Sequence, residues 1–246
     1  FSICSAKKTI KMNVSVVLPT YNESKNIVNL TKDIISIFGD KYQFEVLIVD
    51  DNSPDHTFKI VENEFKNDDR IVPILRLTNR GLAKSIREGI DRAKYGQIIV
   101  MDTDFTHDPK IIPKLLHVAK AYDLVSASRF APGGDMEDKF HYIASLSYNW
   151  LLRIILGTQI QDNLGGYFTA KKEHLISLPL DVIFYGYGEY YFRLLHFMQH
   201  KKRTIVEIPA IYVSRTEGES KSKFFNMMFV YLYNAIKVRR SKYKAN

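Results

Sequence analysis

Cysteine is almost missing from this chain. Cys4 is the single one in 246 residues, so these residues cannot close an internal disulfide, and a reducing, cytoplasmic setting is expected. Long apolar runs are missing too. A helix needs about 20 consecutive apolar residues to span a bilayer; the longest stretches here, 143–156 and 224–238, are both broken by polar side chains. No G-x-G-x-x-G follows a strand-like segment, which argues against a dinucleotide site. No repeat or low-complexity linker divides the chain, and its length fits one large domain or two small ones. No secretory leader is expected. Residues 1–11 precede Met12 and are expected to be upstream leader residues outside the folded unit.

What is present is unevenly distributed. The net charge of +8 lies entirely in the last 46 residues. Residues 1–200 carry 24 Lys and Arg against 24 Asp and Glu, whereas residues 201–246 carry 11 against three. A uniformly basic nucleic-acid binder does not look like this, and its aromatic residues would be interleaved with cations rather than spread as core. A neutral domain with a basic end that meets an anionic surface does.

Apolar runs and helical periods alternate along the chain. Strands are expected over 14–18, 44–49, 71–75, 98–101 and 124–128. Helices are expected over 27–38, 56–65, 82–93 and from Asp108-Pro109 to 119. This rhythm predicts an α/β fold, Rossmann-like, with a mostly parallel central sheet flanked by helices. The rhythm changes after residue 130. A loop is expected over 131–138, helices over 140–156 and 187–200, an extended segment over 205–213 and a polar loop over 216–221. An amphipathic helix over 224–238 follows, with a basic end. The expected units are a domain over 12–222 and the basic C-terminal helix over 223–246.

Parallel sheets bind ligands beyond the carboxyl ends of their strands. Pro19-Thr20-Tyr21-Asn22-Glu23 follows the first strand and Asp50-Asp51-Asn52-Ser53-Pro54-Asp55 the second. Adjacent acids at a strand end suit hydrogen bonds to ribose or a base; the same residues also suit helix capping. Asp102-Thr103-Asp104 follows the fourth strand. Two carboxylates there can hold a divalent cation that bridges to phosphates, or can form a solvated turn. Arg129 ends the fifth strand beside Gly133-Gly134 and is either a bidentate phosphate partner or the mate of a structural carboxylate. Arg215, Ser220 and Lys221 offer cations and a hydroxyl on a polar loop, or a solvated basic turn.

Taken in order, these segments, with Gly81-Leu82-Ala83-Lys84, His107-Asp108-Pro109 and Ser128-Arg129-Phe130, resemble family 2 glycosyltransferases of the GT-A fold. Within that family the order is most similar to the dolichyl- or polyprenyl-phosphate mannosyltransferases, over residues 12 to about 225. The resemblance implies a metal-dependent, inverting transfer of a sugar, most simply mannose from GDP-mannose, onto a polyprenyl or dolichyl phosphate. Pro19, Tyr21, Glu23, Asp50, Asp51, Lys84 and Asp102 would then bind the nucleotide. Asp102 and Asp104 would hold Mg²⁺ or Mn²⁺. Arg129, Arg215, Ser220 and Lys221 would meet the diphosphate or the acceptor, and Asp104 and Arg129 would serve catalysis. Glu189 is the candidate base for a hydroxyl acceptor. The apolar surface of the helix over 224–238 and its basic end suit peripheral attachment to the cytosolic face of a membrane, or a core helix with a solvated basic end; a membrane-protein partner subunit is a further expected partner. Thr106 stands where the family often has a metal-binding Gln, and Ala83 where it often has Gly. The alternatives are transfer from UDP-glucose or UDP-GlcNAc to a polysaccharide or protein, and a non-catalytic nucleotide-sugar-binding subunit.

Overall fold

A computed structural model describes residues 12–213 and 221–240, the side chains of 221–226 excepted. Cys4, Arg215, Ser220 and the last six residues lie outside the described residues, as does the side chain of Lys221. The elements in chain order are β1 (Asn13–Thr20), α1 (Ile27–Phe38), β2 (Gln43–Asp50), α2 (Thr57–Glu64), β3 (Ile71–Leu75), α3 (Leu82–Arg92) and β4 (Gln97–Val100). A 3-10 turn (Pro109–Ile111), α4 (Ile112–Val118), β5 (Leu124–Ser128), β6 (Asp135–Met136), α5 (Lys139–Leu156) and β7 (Phe168–Lys171) follow. The chain ends in α6 (Lys172–Ile176), α7 (Leu180–Ile183), α8 (Tyr190–His200), β8 (Ile205–Pro209), β9 (Ile211–Tyr212) and α9 (Lys221–Arg240).

Seven strands form one sheet in the order β3-β2-β1-β4-β7-β5-β8. All neighbours run parallel except β7, which is antiparallel to both β4 and β5. A mostly parallel sheet flanked by helices is therefore present, as expected. β1 sits centrally, pairing Val17 with Leu47 of β2 and with Val100 of β4. Both faces are covered, which is why these strands read as near-continuous apolar runs. Val14, Val16 and Leu18 pack with Ile27, Leu30 and Ile34 of α1 and Leu115 of α4. Val17, one step out of phase, packs with Ile86 and Ile90 of α3, and the same cluster takes in Leu152 of α5, Leu195 of α8 and Ala235 of α9.

Strand order reverses between β1 and β4, because β1 connects onward to β2 on one side and β4 returns on the other. The loops after these two strands diverge and leave a crevice, the usual place for a ligand in such sheets.

Four differences from the sequence expectations matter. β7 has no counterpart among them: four residues are too short to show a period, and only the partners β4 and β5 define it as a strand. The helix expected over 187–200 begins at Tyr190, because Tyr187 donates its amide to the Glu189 side chain (2.9 Å) rather than to a helical carbonyl. The segment 205–213 divides into β8 and β9, and β9 leaves the main sheet to pair with β6. The expected boundary at 222/223 falls inside α9, whose Ala235 and Val238 are buried in the common core.

Candidate active site

Asp50, the last residue of β2, and Asp51, just beyond it, have different partners. Asp50 is fully buried. It accepts from Thr20 Oγ1 at 3.1 Å and from the Ser53 amide and Oγ at 2.9 and 2.5 Å, so it fastens the end of β1 to the turn after β2. Asp51 accepts from the Gly81 amide at 2.7 Å and pairs with Arg76, itself buried. Arg76 also donates to Ser85 Oγ (2.8 Å) and to the Asn79 carbonyl (2.6 Å), which fixes the turn that starts α3. Asp51 reaches the crevice wall; Asp50 does not.

The crevice over β1 and β4 is a cavity of about 450 Å³. Its wall is formed by Pro19, Thr20, Tyr21 and Glu23 after β1, Asp51 after β2, Arg80 to Leu82 and Ser85 at the start of α3, Asp102 to Asp104 after β4, and Tyr187. Tyr21 is more than half exposed, a ring free to cover a base or sugar. Lys84 points elsewhere: its Nζ donates to Asn79 Oδ1 on the surface, and it is absent from the wall.

The turn after β4 is built by short-range bonds. Asp104 Oδ1 accepts from the Thr106 amide (3.1 Å) and Thr106 Oγ1 (2.6 Å). Thr106, at the position where a further ligand was expected, thus holds the carboxylate that precedes it. The Asp102 amide donates to His107 Nδ1 at 2.9 Å, which leaves the ring proton on Nε2, 3.7 Å from Asp102 Oδ2. His107 is buried, stacked on Tyr167 at 4.8 Å and edge-on to Tyr212. Burial pushes its pKa below the usual value, against the pull of Asp102 and Asp104, so the ring is neutral near pH 7. Asp102 and Asp104 supply only oxygen donors. Among the described residues no group of three or more His, Cys, Asp or Glu converges. Two carboxylates on an open wall fit a Mg²⁺ or Mn²⁺ ion that keeps coordination positions for phosphate oxygens.

A second cavity of about 440 Å³ lies on the other side of Asp102. Arg129, Thr106, His107, Asp138, His141 and Tyr212 contribute to its wall. Arg129 is nearly buried and bidentate to Asp162, with Nε–Oδ2 at 2.8 Å and Nη2–Oδ1 at 2.7 Å. Burial alone opposes the charge, but the Asp162 carboxylate holds the Arg129 pKa above the usual value. Arg129 thus has a structural carboxylate and still faces a cavity. His141 stands in the first turn of α5, its Nδ1 2.6 Å from Oδ2 of the N-cap Asp138.

Glu189 lines neither cavity. It is buried at the start of α8, and Arg193 lies 4.0 Å away. Arg76, Arg80, Asp138, His141 and Asp162 were not singled out from the sequence. Only Arg80 carried a local signal, standing just before the glycine that opens α3; Asp138 and His141 lie beyond any strand-end motif, and Asp162 is 33 residues from the arginine it holds.

The mostly parallel sheet, with one reversed strand, thus carries a D-x-D turn at its switch point beside a cavity. Residues 15–178 match the family described as Glycosyl transferase family 2. The dolichol-phosphate mannosyltransferase of Pyrococcus furiosus is 32% identical over 219 residues, covering 86% of this chain. This chain spans 60% of that relative's length. The undecaprenyl-phosphate mannosyltransferase of Micrococcus luteus is 32% identical over 220 residues, covering 85% of this chain and 87% of the relative. Among solved structures, glucosyl-3-phosphoglycerate synthase from Mycobacterium tuberculosis superposes with a TM-score of 0.70 at 19% identity, covering 93% of this chain and 79% of the other. The chain belongs to glycosyl transferase family 2.

Proposed function

We propose that this protein transfers mannose from GDP-mannose to a polyprenyl phosphate with inversion at the anomeric carbon. The observation that carries the reading is Asp102, which walls both cavities. A donor diphosphate in the first and an acceptor phosphate in the second would meet at that residue. The similarity to mannosyltransferases named for dolichol and undecaprenyl phosphate supports the acceptor class.

In this mechanism the first cavity receives the nucleotide, with Asp51 and Glu23 as acceptors for ribose or base and Tyr21 as a cover. Arg80 offers the donor diphosphate a cation. Asp102 and Asp104 would hold Mg²⁺ or Mn²⁺, which supplies charge neutralisation to the departing diphosphate. The glucosyl-3-phosphoglycerate synthase structures contain Mn²⁺ or Mg²⁺, which supports this use of the pair. Thr106 keeps the Asp104 carboxylate in one orientation, and His107 accepts the Asp102 amide and so fixes the backbone of the same turn. In the second cavity Arg129, held rigid by Asp162, positions the acceptor phosphate. A phosphate oxygen forms the new bond to the anomeric carbon as the bond to the nucleoside diphosphate breaks. The acceptor is already an anion near neutral pH, so it requires placement rather than deprotonation. Arg215, Ser220 and Lys221 remain proposed phosphate contacts.

A polyprenyl acceptor also requires a lipid surface. On α5, Phe140 (81% exposed), Ile143 (63%), Trp150 (62%) and Ile154 (58%) recur at helical spacing, and the first of them adjoins His141 at the second cavity. On α9, Phe229 and Tyr233 are exposed, while Met228 and Leu232 are only partly so. Its last turn carries Lys237, Arg239 and Arg240. Among the described residues no helix is long and apolar enough to cross a membrane. We read α5 and α9 as a peripheral foot on the cytosolic face, open also to a membrane-protein subunit; exposed aromatics and cations together suit an anionic interface.

Incubation with undecaprenyl or dolichyl phosphate, Mn²⁺ and either GDP-mannose or UDP-glucose tests the reaction. Mass spectrometry is expected to find a mannosyl phosphoprenol from GDP-mannose. Product from UDP-glucose alone would reassign the donor, and product only on protein or glycan would reject the lipid acceptor. Co-sedimentation is expected to be stronger with anionic than with neutral vesicles.

A further inference from the structure

The lip of the donor cavity is fastened to the C-terminal helix. Tyr187 lines that cavity from the segment between α7 and α8. Its neighbours on both sides are tied to α9: Gly188 donates its amide to Tyr231 Oη at 3.1 Å, and Tyr185 Oη donates to Asn234 Oδ1 at 3.0 Å. Asn234 is buried, and its Nδ2 donates to the Val230 carbonyl at 2.9 Å, which fixes the amide with its oxygen toward Tyr185. A second helix steadies the first, since Tyr148 Oη of α5 donates to the Met228 carbonyl at 2.6 Å.

The inner side of the lip is equally determined. Arg193, fully buried, donates Nε to the Ile183 carbonyl at 2.9 Å and Nη2 to the Tyr185 carbonyl, with its guanidinium 3.7 Å from the Tyr185 ring. Glu189 accepts the Tyr187 amide. Two glycines admit these contacts. A Cβ on Gly186, at φ +75°, would fall 2.1 Å from Glu189 Oε1, and one on Gly188 would fall 2.6 Å from Tyr231 Oη. A surface loop with no task would not need so many specific bonds to two helices.

We propose that Tyr231 and Asn234 are positioning residues of the donor site. They hold the Tyr185–Gly188 lip so that Tyr187 closes the nucleotide-sugar cavity, and Glu189 with Arg193 forms the inner brace of the same lip rather than a catalytic base. The inference rests on the first cavity being the donor site. It makes α9, 43 residues beyond the lip, part of donor recognition, so the helix that carries the basic end also sets donor affinity.

Tyr231→Phe removes one hydroxyl; Asn234→Ala removes the acceptor of Tyr185 together with the amide that bonds the Val230 carbonyl. With Mn²⁺ and GDP-mannose, each is expected to raise the donor KM about fivefold, the weight of one hydrogen bond, with kcat within about twofold. A merely structural role would instead lower the active fraction, and so kcat, at constant KM. Gly188→Ala is expected to raise KM further, and the double variant with Tyr231→Phe is expected to fall back to the Tyr231→Phe value, because the obstructing oxygen is gone; additive losses would overturn direct contact. Amide exchange without any ligand is the separate readout. The Tyr187 amide, bonded within the lip, is expected to exchange about fivefold faster in Tyr231→Phe while strand amides of β1 and β4 stay protected. Unchanged exchange in both single variants overturns the tether. Faster exchange with no saturable binding of GDP-mannose or UDP-glucose by the wild type keeps the tether and rejects the donor reading.

Discussion

The two cavities share Asp102 but are made in different ways. The first is bounded mostly by turns that directly follow β1, β2 and β4, so its residues sit where strand ends must place them. The second gathers the end of β5, the first turn of α5, Gly165 and β9, segments that no local pattern brings together. In the first, the D-x-D turn depends on short-range hydrogen bonds, such as Thr106 to Asp104, while the wall at Asp51 rests on its pair with Arg76. The second depends on one buried ion pair between Arg129 and Asp162. A site of the first kind is expected to lose chemistry, and one of the second kind to lose structure, when its key residue changes.

The sharpest test of that contrast is Asp102→Ala or Asp104→Ala. Each is expected to lower metal-dependent turnover by about 10²–10³-fold, the scale of one lost transition-state stabiliser, while circular dichroism stays native. Full turnover after chelation would remove the metal from this pair. Next in size is Asp162→Asn, which strips the buried Arg129 of its partner. Urea unfolding is expected to show a loss of about 3–5 kcal/mol; a loss under 1 kcal/mol would break the contrast.

Thr106→Val is smaller. It removes the hydroxyl 2.6 Å from Asp104, and Mn²⁺ affinity measured by calorimetry is expected to fall about tenfold, as for other residues that orient a ligand. Thr106→Ser is expected to retain wild-type affinity, and a loss there equal to that of Val would show that the methyl matters instead.

An effect that appears only in acid concerns the packing of α8 on the end of α5. His196 is buried against the end of α5, Nδ1 3.2 Å from the Leu156 carbonyl. Burial, then the neighbouring His200, pushes its pKa down from 6.5 to about 4. Above pH 6.5 neither state is protonated and the group costs nothing. Between pH 6.5 and about 4 the unfolded chain takes up a proton that the folded chain refuses, so stability falls as pH falls. The loss is expected to approach about 1.4 kcal/mol per pH unit in that window, and His196→Gln is expected to flatten the slope. Identical slopes in the two proteins would show that His196 is not held neutral.

Much of this was legible beforehand. The five strands expected up to residue 128 all form, because parallel strands covered on both faces leave apolar runs that survive any register. The D-x-D turn lies on the expected wall. Lys84 was placed with the nucleotide on its motif and turns instead to Asn79 at the surface. Glu189, the candidate base, is buried and lies on neither cavity wall. Both depend on where a side chain finds its partner, which a short pattern does not specify.

The sequence by itself determined the alternation of strands and helices, the acids at strand ends and the family. Those features are local: a period of two or 3.6 residues and a turn motif are complete within a few positions. Only the tertiary structure decided that β7 runs against its neighbours, that Arg129 belongs to Asp162, and that Tyr231 and Asn234 reach the donor lip. Each of these joins residues tens of positions apart. Such contacts arise from packing two helical layers on one sheet, where a buried polar group must take whichever partner the closed chain brings to it.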